Sequence, residues 1–155
     1  MSETKLQSVV LMQPQEKNIN GKIFGGYLMR KAYELAWSCA YTFAKVRPFF
    51  VASDTISFNR SVDIGSISIF NSEVIYNEDH TMIVCVTTEV VEPDTGDRAR
   101  TNSYYFTFIC PETKLPKIYP ESYDETMSWL EGKRKVNHGK EVAISMDSNL
   151  LRFIN

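Results

Sequence analysis

The segment NGKIFGGYLMRKAYELAW, residues 20–37, joins a stretch that hardly supports a helix to one that strongly favours it. From residue 26 to residue 45, apolar side chains recur at helical spacing and leave only a narrow polar strip. A helix that is apolar over so much of its circumference is buried on most sides, and we expect a sheet to wrap around it. Two glycines, Gly25 and Gly26, stand at its start, although glycine lowers the stability of a helix interior by roughly 1 kcal/mol relative to alanine.

The paired glycines have two explanations. The first N–H groups of a helix lack intrahelical partners and carry a partial positive charge, and glycine lets an oxygen atom of another molecule approach them. Gly25 and Gly26 would then form an oxyanion hole, which donates hydrogen bonds to a carbonyl oxygen that becomes negative during acyl transfer. Alternatively, they allow the start of the helix to pack tightly against the sheet.

Four β-rich runs follow the helix, at about residues 49–59, 66–76, 81–92 and 99–110, and turn-forming segments separate them. Apolar residues alternate along the last two runs, which is typical of half-buried antiparallel strands. The segment LQSVVLMQ, residues 6–13, predicts one more strand before the helix. The sequence therefore predicts a single α+β domain with a long helix and an antiparallel sheet.

The pattern weakens after Pro111. A short amphipathic helix is predicted at about residues 121–131, and residues 136–155 are predicted to form an extended or partly mobile C-terminal tail. The predicted domain is therefore residues 1–135.

Composition and charge exclude several classes of protein. The 155 residues carry a formal net charge of −2, which does not favour a nucleic-acid surface. No apolar run is long enough to span a bilayer, and residues 1–13 have neither the apolar core of a signal peptide nor the Arg-rich, acid-poor character of a transit peptide. We interpret Cys39, Cys85 and Cys110 as buried thiols in a reducing compartment, because they are far apart and odd in number. Neither His80 nor His138 has ligand-like neighbours, so no metal site is expected.

The segments MQPQEKNINGKIFGGYLMRKAYELAW, residues 12–37, and RPFFVASDTISFNRSVDIGSISIFNSEVIY, residues 47–76, resemble acyl-CoA thioesterases of the hotdog superfamily. They are similar in particular to the second hotdog domain of the mitochondrial-type enzymes, which carry two such domains in one chain, and the resemblance extends over about residues 9–135. It implies the hotdog fold, hydrolysis of acyl-CoA to a free acid and CoA, and no cofactor. It also implies pairing with a second hotdog domain or a homo-oligomer, and a mitochondrial location with a cytoplasmic one as the alternative.

The resemblance also implies site residues. Related thioesterases place an Asn before the two glycines, often a His just before them, and an acid on the helix that follows. Asn18 matches the Asn, whereas Phe24 and Tyr33 stand where many relatives have the His and the acid. Glu34, one residue further along, is rotated by about a quarter turn. Glu34 is either the general base or a nucleophile, or it is an exposed partner of Arg30.

Asp54 and three arginines are the remaining candidate site residues. Alternation places Asp54 on an apolar strand face, where it either orients water or accepts structural hydrogen bonds, and a facing domain is another possible source of the acid. Arg60, Arg98 and Arg100 flank predicted strand ends and are either contacts for CoA or simply solvated.

The hydrolase has two alternatives. One is a hotdog hydratase or dehydratase, for which neither histidine is well placed. The other is a non-catalytic acyl-CoA-binding or assembly partner domain.

Overall fold

A computed structural model describes residues 1–54, 56, 58 and 60–154, with side chains up to residue 145. Five strands form one antiparallel sheet in the order β1-β3-β4-β5-β2, and the long helix α1 lies on one of its faces. This is the predicted α+β hotdog architecture. Its elements are β1 (Leu6–Leu11), α1 (Gly25–Ala44), β2 (Phe49–Ser53), β3 (Ile67–Glu78), β4 (Thr81–Val91), β5 (Arg98–Ile109) and α2 (Tyr123–Ile154).

Helix α1 is the centre of the hydrophobic core, as its sequence predicts. Its core-facing side consists largely of small residues, and Ala32, Ala36 and Ala40 have no solvent exposure. Such small side chains let the sheet approach the helix closely. The helix ends at Lys45, whose backbone is left-handed with φ 60° and whose N–H bonds to the Tyr41 carbonyl.

The face of the sheet that contacts α1, the inner face, carries the alternating apolar residues that the sequence predicts. Val84 on β4 and Phe106 on β5 are completely buried and pair across the two strands. The side chains between them point to the opposite, outer face. The predicted alternation along the last two strands is therefore confirmed.

Strand β2 contains a bulge that overturns the predicted orientation of Asp54. Phe50 pairs with Phe108 on the inner face, but the register shifts by one residue before Ala52 pairs with Thr107. A bulge adds one residue to a strand and so reverses the alternation that follows it. Asp54 therefore lies on the outer face, and the expectation that it shares the face of Phe50 is wrong. The strand ends earlier than predicted, and residues 55, 57 and 59 of the predicted run lie outside the described residues.

Helix α2 packs on the outer face and is much longer than predicted. A helix does cover most of the predicted range 121–131, but it continues to Ile154, so residues 136–154 of the tail predicted as extended or partly mobile are helical. Glycine weakens a helix interior but does not end it as proline does, and no proline follows Pro120.

Gly132 has a packing role in α2. A Cβ atom there would overlap the Cβ of Tyr76, so the glycine lets the helix backbone approach the sheet. Trp129 lies edge-on to the Tyr76 ring at a centroid distance of 5.2 Å, and Val136 is buried in the same cluster. Among the described residues, no helix is long and apolar enough to cross a membrane.

Candidate active site

A cavity of about 600 Å³ opens beside the first turn of α1. It brings together several residues that the sequence singles out, although they come from different parts of the chain. The predicted site residues that line it are Asn18, Gly25, Gly26 and Arg60, and Phe24 and Phe58 also line it.

The loop before α1 fixes the side chain of Asn18. Its Oδ1 atom accepts hydrogen bonds from the backbone N–H groups of Asn20 at 2.9 Å and Lys22 at 3.1 Å. Gly21, at φ 75°, permits the turn between them. Because two backbone donors bind Oδ1, the amide nitrogen Nδ2 is the end of the side chain that remains to donate. It makes no hydrogen bond with any of the described residues, so it is available to a carbonyl oxygen or a water molecule.

The start of α1 presents two further donors. Phe24 is the N-cap residue and supplies no side-chain acceptor, and the first turn contains no acidic residue. The N–H groups of Tyr27 and Leu28 bond to the Phe24 carbonyl, at 3.0 and 3.4 Å. Within the described part of the chain, the N–H groups of Gly25 and Gly26 have no acceptor. These two amides therefore face the cavity at the positive end of a 20-residue helix, the arrangement that binds a developing oxyanion.

The three predicted arginines are not equivalent. Arg60 is exposed at the cavity and forms no ion pair with the residues that the structure describes. Arg98 and Arg100 lie at the start of β5 and do not line it. The Arg100 guanidinium donates to Ser103 Oγ at 3.0 Å and borders a separate cavity on the outer face.

Glu34 lies outside the cavity. Its carboxylate accepts a hydrogen bond from Arg30 Nε at 3.0 Å and lies 3.5 Å from Lys31 Nζ, and its side chain is about half exposed. The neighbouring Tyr33 instead points at β2 and β5, with its ring centroid 5.4 Å from that of Phe50. The expected rotation between these two positions therefore holds, and it leaves the carboxylate on the helix surface.

Asp54 is also remote from the glycines. Its carboxylate forms an ion pair with Lys135 of α2, on the outer face of the sheet. Lys135 Nζ also lies 3.9 Å from the centroid of the Tyr105 ring and 3.1 Å from Glu131. None of the described residues that line the cavity is a carboxylate, so one chain supplies hydrogen-bond donors without a general base.

The histidines and cysteines lie elsewhere. His80 Nδ1 is 2.9 Å from the carbonyl oxygen of Thr113, in the turn between β3 and β4. Cys39 and Cys110 are buried and Cys85 is half-buried, and all three are free. Burial raises the pKa of the Cys39 and Cys85 thiols to about 11, so both are protonated at neutral pH. No group of three metal-ligating side chains occurs among the described residues.

Phe58 is the cavity residue that sequence reasoning missed. It lies in a β-rich run in which polar and apolar residues alternate, where it looks like any core residue. In the structure its ring lies on Gly25, and a Cβ atom at that glycine would be 3.1 Å from Phe58 Cζ. Phe58 follows the end of β2, and its contact with Gly25 depends on the path of the chain after that strand.

Comparison with known proteins shows which sequences and folds the chain resembles. No protein-family model matches the sequence. Over 134 residues, 86% of this chain, the sequence is 42% identical to acyl-coenzyme A thioesterase 9, mitochondrial, of Mus musculus. The chain spans 30% of the length of that relative.

Two solved structures have the same fold. The acyl-CoA hydrolase of Staphylococcus aureus, in complex with butyryl coenzyme A, coenzyme A and coenzyme A disulfide, superposes with a TM-score of 0.87 at 23% identity, over 100% of this chain and 98% of that one. A hexameric acyl-CoA thioesterase gives a TM-score of 0.84 at 22% identity, over 92% and 95% of the two chains. The chain is thus homologous to part of the mitochondrial acyl-coenzyme A thioesterases, and it has the hotdog fold of the acyl-CoA hydrolases.

Proposed function

We propose that this chain is an acyl-CoA thioester hydrolase domain, which cleaves acyl-CoA with water to a free acid and CoA. The observation that carries the proposal is the convergence of the free amides of Gly25 and Gly26 with the Asn18 side chain in one cavity. In this proposal the thioester carbonyl accepts hydrogen bonds from the two glycine amides, and Asn18 Nδ2 orients the carbonyl or the attacking water. The similarity to mitochondrial acyl-coenzyme A thioesterases supports the same reaction and a mitochondrial location.

The CoA moiety needs a cation at the mouth of the cavity. Arg60 meets this need best, because it is exposed there and no acid among the described residues neutralises it. A guanidinium binds phosphate oxygens in a bidentate manner. We therefore assign Arg60, rather than Arg98 or Arg100, to the phosphates of CoA.

The general base comes from a facing hotdog domain in this proposal. No described carboxylate of the chain lines its own cavity. Strand β2 is an edge strand, all five of its residues are exposed, and Phe49 and Val51 are each 53% exposed. An apolar, unpaired edge is typical of a strand that pairs with another chain.

Two kinds of partner fit that edge. In a homo-oligomer, Glu34 of the facing copy is our first candidate for the acid and Asp54 the second. In a two-domain enzyme, this chain corresponds to the second hotdog domain and the other domain supplies the acid. The second arrangement is consistent with the greater length of the mitochondrial relative.

Complementation tests which partner supplies the acid. Asn18→Ala and Glu34→Gln should each lower the hydrolysis of butyryl-CoA by about 10² to 10⁴, measured by thiol release. If each site combines residues of two copies, a dimer formed from one copy of each variant contains one intact site. Random exchange of subunits between equal amounts of the two inactive variants should therefore restore roughly a quarter of the parent rate. Glu112→Gln, an exposed carboxylate in the loop after β5, is the matched control and should change nothing.

Other outcomes select another acid or another function. If Glu34→Gln is fully active while Asn18→Ala is inactive, Asp54 becomes the next candidate. Activity that appears only when a companion hotdog domain is added assigns the acid to that domain. The lack of a carboxylate in the cavity also favours a second function, a non-catalytic acyl-CoA-binding partner domain. Binding of CoA without thiol release, even with the companion domain, would establish that function and refute the hydrolase.

A further inference from the structure

Two aromatic rings cover the two glycines at the start of α1. The Phe58 ring lies on Gly25, where an added Cβ atom would be 3.1 to 3.3 Å from three of its ring carbons. The Phe24 ring lies on Gly26 so closely that a Cβ atom there would overlap it. Successive helical residues point about 100° apart, so the two rings approach the glycine backbone from two sides. The two rings therefore flank the glycine pair inside the cavity, and we call the space between them the slot.

Neither ring is buried in the hydrophobic core. Phe24 is 59% exposed and Phe58 is 45% exposed, although both line the same cavity. Phe58 makes one edge-on ring contact, with the buried Tyr104 at 6.5 Å. Exposed aromatic surface beside a set of hydrogen-bond donors is a frequent feature of binding sites, where a few polar groups fix orientation and apolar groups contribute affinity.

The position of the rings constrains what can bind. A thioester whose carbonyl oxygen reaches the amides of Gly25 and Gly26 lies in the same cavity as the two rings, which are the aromatic side chains that line it. These rings offer no hydrogen-bond donor or acceptor to its acyl chain. Methylene groups that leave water for contact with phenyl carbons gain about 0.8 kcal/mol each, which is roughly a fourfold gain in affinity per group.

We propose that Phe24 and Phe58 form an aromatic clamp that selects the substrate, so that this site prefers straight aliphatic acyl groups to acetyl. The inference rests on the proposed hydrolase function and adds the substrate class to it. Acetyl lacks methylene groups that could occupy the slot, and the clamp discriminates against it for that reason.

The test compares the chain-length preference of variants. The value of kcat/KM is measured for acetyl-, butyryl- and hexanoyl-CoA in the parent, Phe24→Ala, Phe58→Ala and Phe58→Leu, with the companion domain present if activity requires it. Phe58→Leu keeps an apolar side chain against Tyr104 in case the alanine variant fails to fold. Tyr123→Ala is the matched control, since this aromatic residue is 76% exposed and lies outside the cavity.

We expect the preference for hexanoyl over acetyl to fall about tenfold in Phe24→Ala and to stay unchanged in Tyr123→Ala, because a variant without the ring loses contact with one to two methylenes. The rate with acetyl-CoA should change much less, since acetyl does not use the clamp. An unchanged preference in Phe24→Ala and in both Phe58 variants would overturn the proposal.

A binding measurement separates the clamp from the hydrolase proposal. Calorimetry compares the non-hydrolysable thioethers S-ethyl-CoA and S-hexyl-CoA in the same variants. If the parent does not hydrolyse acyl-CoA but its preference for S-hexyl-CoA is lost in Phe24→Ala, the clamp stands and the hydrolase proposal fails. If Phe24→Ala and both Phe58 variants keep that preference, or the parent binds neither thioether, the clamp is refuted.

Discussion

Gly132→Ala and Gly139→Ala make the same exchange in the same helix, but the structure predicts opposite effects on stability. Alanine stabilises a helix interior by roughly 0.5 to 1 kcal/mol relative to glycine. At Gly139 nothing lies within 4 Å of the added Cβ atom, so this gain should appear in full. At Gly132 the Cβ atom overlaps that of Tyr76, which is only 7% exposed and cannot move aside.

The size of the effect follows from the packing. Overpacking a buried contact typically costs about 1 to 3 kcal/mol, which exceeds the helix gain and leaves Gly132→Ala destabilised by about 1 to 2 kcal/mol. In a domain of 155 residues, that lowers Tm by roughly 2 to 8 °C. Gly139→Ala should raise Tm by about 1 to 4 °C.

Urea unfolding followed by tryptophan fluorescence measures both variants. Trp129 lies 5.2 Å from Tyr76, so its emission also reports whether α2 separates from the sheet. Equal stabilisation of both variants would mean that α2 does not contact the outer face at Gly132.

Three further predictions concern the site, the edge strand and the thiols. Gly26→Val should lower acyl-CoA hydrolysis by at least about 10² with the circular dichroism spectrum retained, because its side chain collides with the Phe24 ring and crowds the cavity beside the two amides. Undiminished turnover would argue against the oxyanion hole. The parent should sediment as a dimer or larger at micromolar concentration, and Val51→Lys should shift it towards monomer, since a lysine on an exposed edge opposes strand pairing. Burial raises the pKa of Cys39 from 9.0 to about 11, so the folded state keeps a proton that the unfolded state releases. The contribution of this thiol to the free energy of unfolding is therefore fully present below about pH 9 and is lost as the pH rises towards 11. In urea titrations at alkaline pH, the free energy of unfolding should fall less steeply with pH in Cys39→Ala than in the parent.

The sequence by itself determined the central helix and the sheet. Helical spacing of apolar residues before Lys45 and alternation around Val84 and Phe106 are local patterns, and both appear in the structure where they were predicted. Each pattern records which side of an element is buried, so it can be read without knowing what the element packs against. The position of Gly25 and Gly26 at the start of the helix is local information of the same kind.

Only the tertiary structure decided which of the candidate residues meet. The bulge in β2 sends Asp54 to the outer face, and a bulge arises from pairing with a neighbouring strand rather than from the sequence of one strand. The sequence predicts that the last helix ends at about residue 131, whereas in the structure it continues through Gly132, which lies against Tyr76 of the sheet. Phe58 reaches Gly25 across more than thirty residues of chain, a proximity that no local pattern encodes. Periodicity fixes how each element is buried, but the approach of distant side chains depends on register, bulges and helix packing, which exist only once the chain has folded.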